Sequence, residues 1–324
     1  MDLSKINRKN LGVNIGIPLA LLIIVGLLPL YGWDYGVTLF SNFLLYIILT
    51  VSWVIFSGVT GYISLATAAF YGLGIYAAAI YFPLNGHALP LIVIILIAAA
   101  VSFVVAFIVG AITLRLRGIY FAMFTFGLVL LVKEVIYYWE IVIQGTRGRM
   151  VALESNNAVF YYLLGICVIA MLVSYFIRRS KYGLALQSIG ENEEAAAHIG
   201  VNVTMTKIVT FAISTAFMGA AGVIMATKNT YVDPGTAFDP MISFSPALMA
   251  IFGGTGNVWG PAIGAVFFSY VQELLQTGSL KDYYKLIFGA MLIGTILYLP
   301  TGLTGLIQKL WKRFKGEKSA PIRG

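Results

Sequence analysis

Apolar runs and short polar breaks alternate along almost the whole chain. Runs of roughly the 20 residues that a membrane-crossing helix needs fall at 15–31, 37–56, 89–114, 119–143, 158–177 and 208–227. Another apolar stretch continues past Gly58 and Gly61 to residue 82, with further glycines at 72 and 74. Near the other end, 244–252 and 261–275 are shorter apolar pieces parted by Gly253-Gly254-Thr255-Gly256-Asn257, and 286–299 follows, extending toward 307. The pattern predicts an all-α polytopic membrane protein of about ten transmembrane or half-length helices. Residues 15–307 form the transmembrane domain, 1–14 precede it, and 308–324 follow as a basic tail. The run at 15–31 is longer than a signal-peptide core, no A-x-A site follows it, and Trp33-Asp34 reads as an interfacial boundary, so it is taken as a span.

Composition agrees with the pattern. The chain is 60% hydrophobic and 10% charged, with a mean hydropathy of +0.90. Its net charge of +8 does not mark a nucleic-acid binder, because the basic residues sit in short breaks beside apolar runs. Ten crossings with both termini cytoplasmic place fifteen of the 21 Lys and Arg residues on the cytoplasmic side: in 1–14, at Arg115 and Arg117, in the loop 178–207, and in the tail. Reading 244–275 as a single span would put the tail outside, against this bias. The single cysteine, Cys167, lies in an apolar run and excludes an intrachain disulfide. With two histidines as well, no metal site or cofactor is expected.

The longest polar segment between apolar runs is the loop 178–207. Ser188 followed by Glu191 has capping-box spacing, which predicts a helix starting there and stopping at Gly200. Glu191, Glu194, Ala195 and His198 would then share one face. The segment Glu194-Ala195-Ala196-Ala197-His198-Ile199-Gly200 reads E-A-A-x-x-x-G. A rigid helix in such a loop can dock on a partner and pass motion to the spans on either side.

This heptapeptide resembles the coupling helix of ABC-importer permeases. With Tyr182-Gly183, Glu191-Asn192-Glu193, Ile199-Gly200-Val201-Asn202-Val203, Lys207, Phe211 and Ser214, it is similar to the branched-chain amino acid permease family. Other blocks extend the likeness. They are Gly58-x-x-Gly61-x-x-Ser64-Leu65, the run from Leu114 to Thr125, the run from Gly253 to Ala265, and Pro300-Thr301-Gly302-Leu303. Two departures stand out: Gly190 replaces the family's usual arginine, and 143–148 lacks its T-G-G opening. The resemblance implies a transport subunit in the plasma or inner membrane. It also implies a second homologous permease, two cytoplasmic ATPase subunits and an extracytoplasmic solute-binding protein. Glu191, Glu194, Ala195, Ala196 and Gly200 are its expected ATPase-coupling residues. A urea or short-chain amide permease of the same family is the nearest alternative, and a secondary transporter working without ATPases is the alternative from another class.

Interrupted apolar segments in two halves of a transporter point to its path. Gly58, Gly61, Ser64 and Thr125 in the first half, with Gly253, Gly254 and Gly256 in the second, are candidates for broken helices or the path. The late glycine block is not a phosphate loop, because no Gly-Lys-Ser/Thr follows. Small-residue helix packing is its other reading. Lys133 and Glu134 are read as the only charges well inside a span, where a charge costs at least ~2.5 kcal/mol. They are either a polar point on the path or a subunit contact, or they reach to the interface. No catalytic constellation is present, so the chain is expected not to be an enzyme, and ATP hydrolysis is assigned to other subunits.

Overall fold

The computed structural model describes residues 25–31, 34–84, 89–257, 259–277, 283–298 and 302. The expectations for 1–14, for most of the first apolar run and for the tail lie outside these residues. The helices are α1 (Asp34–Thr60), α2 (Thr67–Tyr81), α3 (Leu91–Thr113) and α4 (Ile119–Tyr138), the last continued by a π-helical turn at Trp139–Gln144. A two-residue strand β1 (Arg149–Met150) leads to α5 (Asn156–Arg179) and the short helices α6 (Lys181–Glu191) and α7 (Glu193–His198). Then come α8 (Val203–Ala226), β2 (Tyr231–Val232), α9 (Pro234–Ala237), α10 (Met241–Gly253), α11 (Trp259–Thr277) and α12 (Tyr284–Tyr298). Five of these segments are long and apolar enough to cross a membrane: α1, α3, α4 with its π-turn, α5 and α8.

Helices α1 and α8 form the centre. Most of their residues are buried, and α8 packs on α3, α2 and α1 while α1 also packs on α5 and α11. Small residues bring backbones into contact, as in other membrane bundles. A Cβ on Gly74 would lie 2.0 Å from the Gly219 carbonyl oxygen, and one on Gly222 would lie 2.1 Å from that of Tyr71. Side chains at those positions would force α2 and α8 apart. Around this centre, α3, α4 and α5 keep apolar faces exposed. On α3, Ile92, Leu96, Val104, Ile108 and Ile112 form a stripe at helical spacing. Such a surface suits lipid or another membrane subunit and not water.

The two ends of the bundle differ. At one end β1 pairs with β2, Val151 N donates to Thr230 O at 3.0 Å, and Ala152 N donates to Phe82 O at 3.1 Å. This hairpin end gathers the end of α2, the start of α5 and the end of α8. At the opposite, loop end lie α6 and α7, the end of α1, the end of α3 and the glycine turn after α10, the last held by an Arg178 guanidinium bond to Thr255 O at 2.7 Å. Successive segments therefore switch ends as the hydropathy pattern requires.

Two helices are too short to cross by themselves. The apolar stretch after Gly58 is broken: residues 61–66 are extended and α2 begins at Thr67. Its counterpart is α10, which is separate from α11, as the two-segment reading of 244–275 expects. At 1.5 Å per residue, α2 and α10 span about 22 and 20 Å, short of a ~30 Å hydrocarbon core. The chain reaches α10 from the hairpin end through α9, whose N-cap Asp233 accepts from Gly235 N and Thr236 N. Fully buried Phe238 then stacks on Tyr76 and lies against Gly72, where a Cβ would be 2.2 Å from its ring. Asp233 thus serves as a helix cap, while Asp239 makes a turn before α10, its Oδ1 accepting from Met241 N at 2.9 Å.

Candidate functional site

The polar loop folds differently from the expected single helix. Ser180 caps α6 by accepting from Gly183 N, and Ser188 lies inside α6, donating to Leu184 O at 3.0 Å. Asn192 is extended, with φ −157°, and its Oδ1 accepts from Glu194 N and Ala195 N, starting α7. An Asn N-cap competes well with a Ser four residues earlier, and here it splits the helix. Glu191 therefore ends one helix while Glu194, Ala195 and His198 lie on the next. Glu191, Glu194, Ala195 and Gly200 (φ +90°) are exposed, and Ala196 is buried against the bundle. Leu184 and Ile199 add exposed apolar side chains to the same polar segment, making a surface of mixed character.

Behind that surface is a charged node. Lys207 lies in the first turns of α8 with only 2% exposure. Its ammonium donates to Glu193 Oε1 at 2.8 Å, Tyr62 Oη at 3.1 Å and Leu114 O at 3.1 Å. All three of its protons are thereby used, which is what a buried lysine requires. Tyr62 donates its hydroxyl to the other oxygen of Glu193, and Lys207 also sits 4.5 Å from the Tyr62 ring centroid. Arg117 approaches Glu193 at 3.8 Å and Glu194 at 3.4 Å. Burial alone would raise the Glu193 carboxyl, but the hydrogen bonds from Lys207 and Tyr62 and the positive charges of Lys207 and Arg117 outweigh it and hold it below the usual range. Glu193 thus ties α7 to the α1–α2 linker, the end of α3, the α3–α4 turn and α8.

Tyr62 continues the connection inward. Its ring meets Phe56 and Phe121, and both of these meet Phe211, at centroid distances of 5.2–6.5 Å. Close-packed rings of this kind transmit strain between the elements they join. Beyond them the two half-length helices meet near their N-termini. Ser64 O accepts from Trp53 Nε1, Leu65 N donates to Thr125 Oγ1, and Ala68 N donates to Ser243 Oγ in the first turn of α10, at 2.8, 3.0 and 3.0 Å. Ser64 and Thr125 are therefore brought together, with Gly61 (φ +74°) providing the turn out of α1.

The remaining candidates lie elsewhere. Gly253 packs backbone to backbone in the α10–α11 hairpin, where a Cβ would be 2.0 Å from Gly260 O. Gly254 makes the turn with φ +91°, and Gly256 has open space beside it. Helix packing is the role the geometry of Gly253 supports. Gly58 packs against Thr255. Lys133 is half-buried and Glu134 exposed. They are also not the only charges in that run. Glu140, 1% exposed in the π-turn, accepts from Tyr76 Oη at 3.0 Å and Gly148 N at 2.9 Å. Its position near the end of an apolar run hid it, whereas the π-turn rotates it inward. Among the described residues no group of acidic, histidine and cysteine side chains could hold a metal.

Residues 35–296 match the family described as branched-chain amino acid transport system / permease component. The chain belongs to this permease family. It is 25% identical to the high-affinity branched-chain amino acid transport system permease protein LivM of Salmonella typhimurium, over 92% of this chain and 77% of that protein. It is 26% identical to LivH of Escherichia coli over 48% of this chain and 49% of that one. The ribose import permease protein RbsC of Haemophilus influenzae is 26% identical over 46% and 51% of the two chains. No solved structure matches. As a permease of this family the chain is a multi-pass membrane protein. A Cβ on Gly190 would lie 2.4 Å from Val59 O, so α6 rests directly on the end of α1.

Proposed function

We propose that this permease is one of two transmembrane subunits of an ATP-driven importer of branched-chain amino acids. Its loop end faces the cytoplasm, in keeping with the bias of lysine and arginine toward that side. Two ATPase subunits engage the exposed face of α6 and α7, through Glu191, Glu194, Ala195 and Gly200 with Leu184 and Ile199. An extracytoplasmic receptor delivers solute at the hairpin end. The observation that carries the reading is the tie from an exposed short helix, through Glu193, to buried Lys207 and Tyr62. A displacement of α7 acts at once on the start of α8 and on the linker between α1 and the half-length α2. Those elements meet α10 at the Ala68–Ser243 contact, so closure of the ATPases would shift the half-helices between two packings and give alternating access.

The LivM likeness over most of the chain supports the solute class, and the shorter likeness to RbsC makes a pentose the second reading. The test is co-purification in mild detergent after expression with the neighbouring genes. Recovery of two ATPases and a second permease is expected. A chain that purifies alone and moves solute into liposomes without ATP would overturn the proposal in favour of a secondary transporter.

A further inference from the structure

Between α1, α2, α8, α10 and α11 the bundle holds a cavity of about 240 Å³. It adjoins the half-helix junction, because Tyr71 of α2 and Ile242 of α10 are in its wall. It is smaller than the ~300–1,000 Å³ pockets that take drug-sized ligands, and it suits a single small metabolite. Part of the wall is aliphatic, from Leu45, Leu49 and Ile242. A polar part comes from Asn42, Ser269, Gln272 and Glu273.

The polar part is built and incompletely satisfied. Lys228, just beyond α8, donates to Asn42 Oδ1 at 3.1 Å. Burial lowers the Lys228 ammonium, and the Glu273 carboxylate offsets part of that. The two charges therefore sense each other, yet they form no ion pair among the described residues. Ser269, 96% buried to judge by its 4% exposure, has an Oγ without a hydrogen-bond partner, and so does the buried Oε1 of Gln272. Seven such atoms occur among the described residues, and these two lie one helical turn apart in the same wall. A carboxylate, an amide held by a lysine, an orphan hydroxyl, an orphan carbonyl oxygen and an aliphatic face are together complementary to one kind of molecule.

We propose that this cavity binds the zwitterion of a neutral aliphatic amino acid. Glu273 and Gln272 Oε1 take its ammonium, Ser269 Oγ and the Asn42 amide that Lys228 holds take its carboxylate, and Leu45, Leu49 and Ile242 take its side chain. The proposal rests on the transporter reading and gives it a solute site within this chain, apart from any receptor. A sugar has no cationic group to meet the Glu273 carboxylate and fits the wall less well.

Because Cys167 is the single cysteine and is buried, Gln276→Cys places one accessible thiol at the rim. The variant is purified as the detergent-solubilised complex and labelled with a maleimide, the label being read on this chain by mass. L-Leucine should slow labelling, D-ribose should not, and 4-methylpentanoate and leucinamide, each lacking one charge, should protect weakly. Adding Glu273→Gln should raise the half-protecting concentration of L-leucine by about tenfold, as loss of a charge-assisted hydrogen bond predicts. It should leave that of 4-methylpentanoate unchanged. Labelling unaffected by L-leucine, or slowed equally by D-ribose, overturns the site. A label-free reading comes from Glu273→Gln alone, which should raise the KM for ATP-driven L-leucine uptake by a similar factor, and an unchanged KM also overturns it. If wild-type complex takes up L-leucine while protection is absent, only the cavity inference fails. If it takes up no amino acid, the transporter reading itself fails.

Discussion

Lys207 carries a charge into the bundle and keeps it there because three acceptors surround it, one of them the Glu193 carboxylate. Removing one partner of a buried pair leaves the other uncompensated, at a cost of roughly 3–5 kcal/mol, while replacing both by apolar groups can be nearly neutral. Glu193 is partly exposed and can rehydrate, whereas Lys207 cannot. Glu193→Gln should therefore destabilise the protein by about 3 kcal/mol, more than Lys207→Met does, and the double variant should recover part of the loss. A double-mutant cycle on thermal unfolding in detergent measures this, and additive losses would contradict it. The node also sets a pH dependence. The folded Glu193 carboxyl titrates below its unfolded value of about 4.3, so its contribution is complete above that pH and is lost as pH falls through the depressed folded value. Hydrogen exchange of α7, corrected for the intrinsic rate, should stay protected to below pH ~4 and rise only under stronger acid. At this scale the sequence revealed little. Glu194 stood out through its motif, but the neighbouring Glu193 faces inward, and only the end of α1 and the start of α8 brought together in space make that visible. The lone Lys207 at the head of an apolar run was the available signal, since a buried lysine needs a partner.

At the scale of elements, local chemistry decides where helices stop. The capping-box spacing at Ser188 was outcompeted by Ser180 before it and Asn192 after it, so the polar loop became two helices. The half-length helices were legible as glycine-interrupted runs. The start of α2 was not, because an apolar stretch reads alike whether it is helical or extended, and the Trp53, Thr125 and Ser243 bonds that hold 61–66 and the start of α2 come from distant positions. Gly190 offers a direct test of how α6 sits on α1. Gly190→Leu would put a side chain into the Val59 carbonyl and should cost about 1–3 kcal/mol and displace α6. Gly256→Ala, with open space beside it, should stay within about 0.5 kcal/mol of the native protein. Unfolding temperature and limited proteolysis between α5 and α8 would show the contrast, and equal behaviour of the two variants would contradict the packing described.

The whole molecule was the most legible level. Length and spacing of apolar runs set the threading, and the structure confirms the alternation of ends from α1 through α11, because lipid forces helices of fixed length and satisfied backbone. What the pattern could not give was depth and contact: which helices are central, which face lipid, and that Glu140 turns inward. The central claim is that motion of an exposed docking helix drives this permease through the Glu193 node. It is tested most directly by solute uptake in proteoliposomes holding the complete complex. The account predicts L-leucine uptake that requires ATP and the ATPase subunits. With Glu194→Lys or Gly200→Pro, uptake should be abolished although the complex still inserts. ATP-dependent uptake at the native rate by both variants would contradict it.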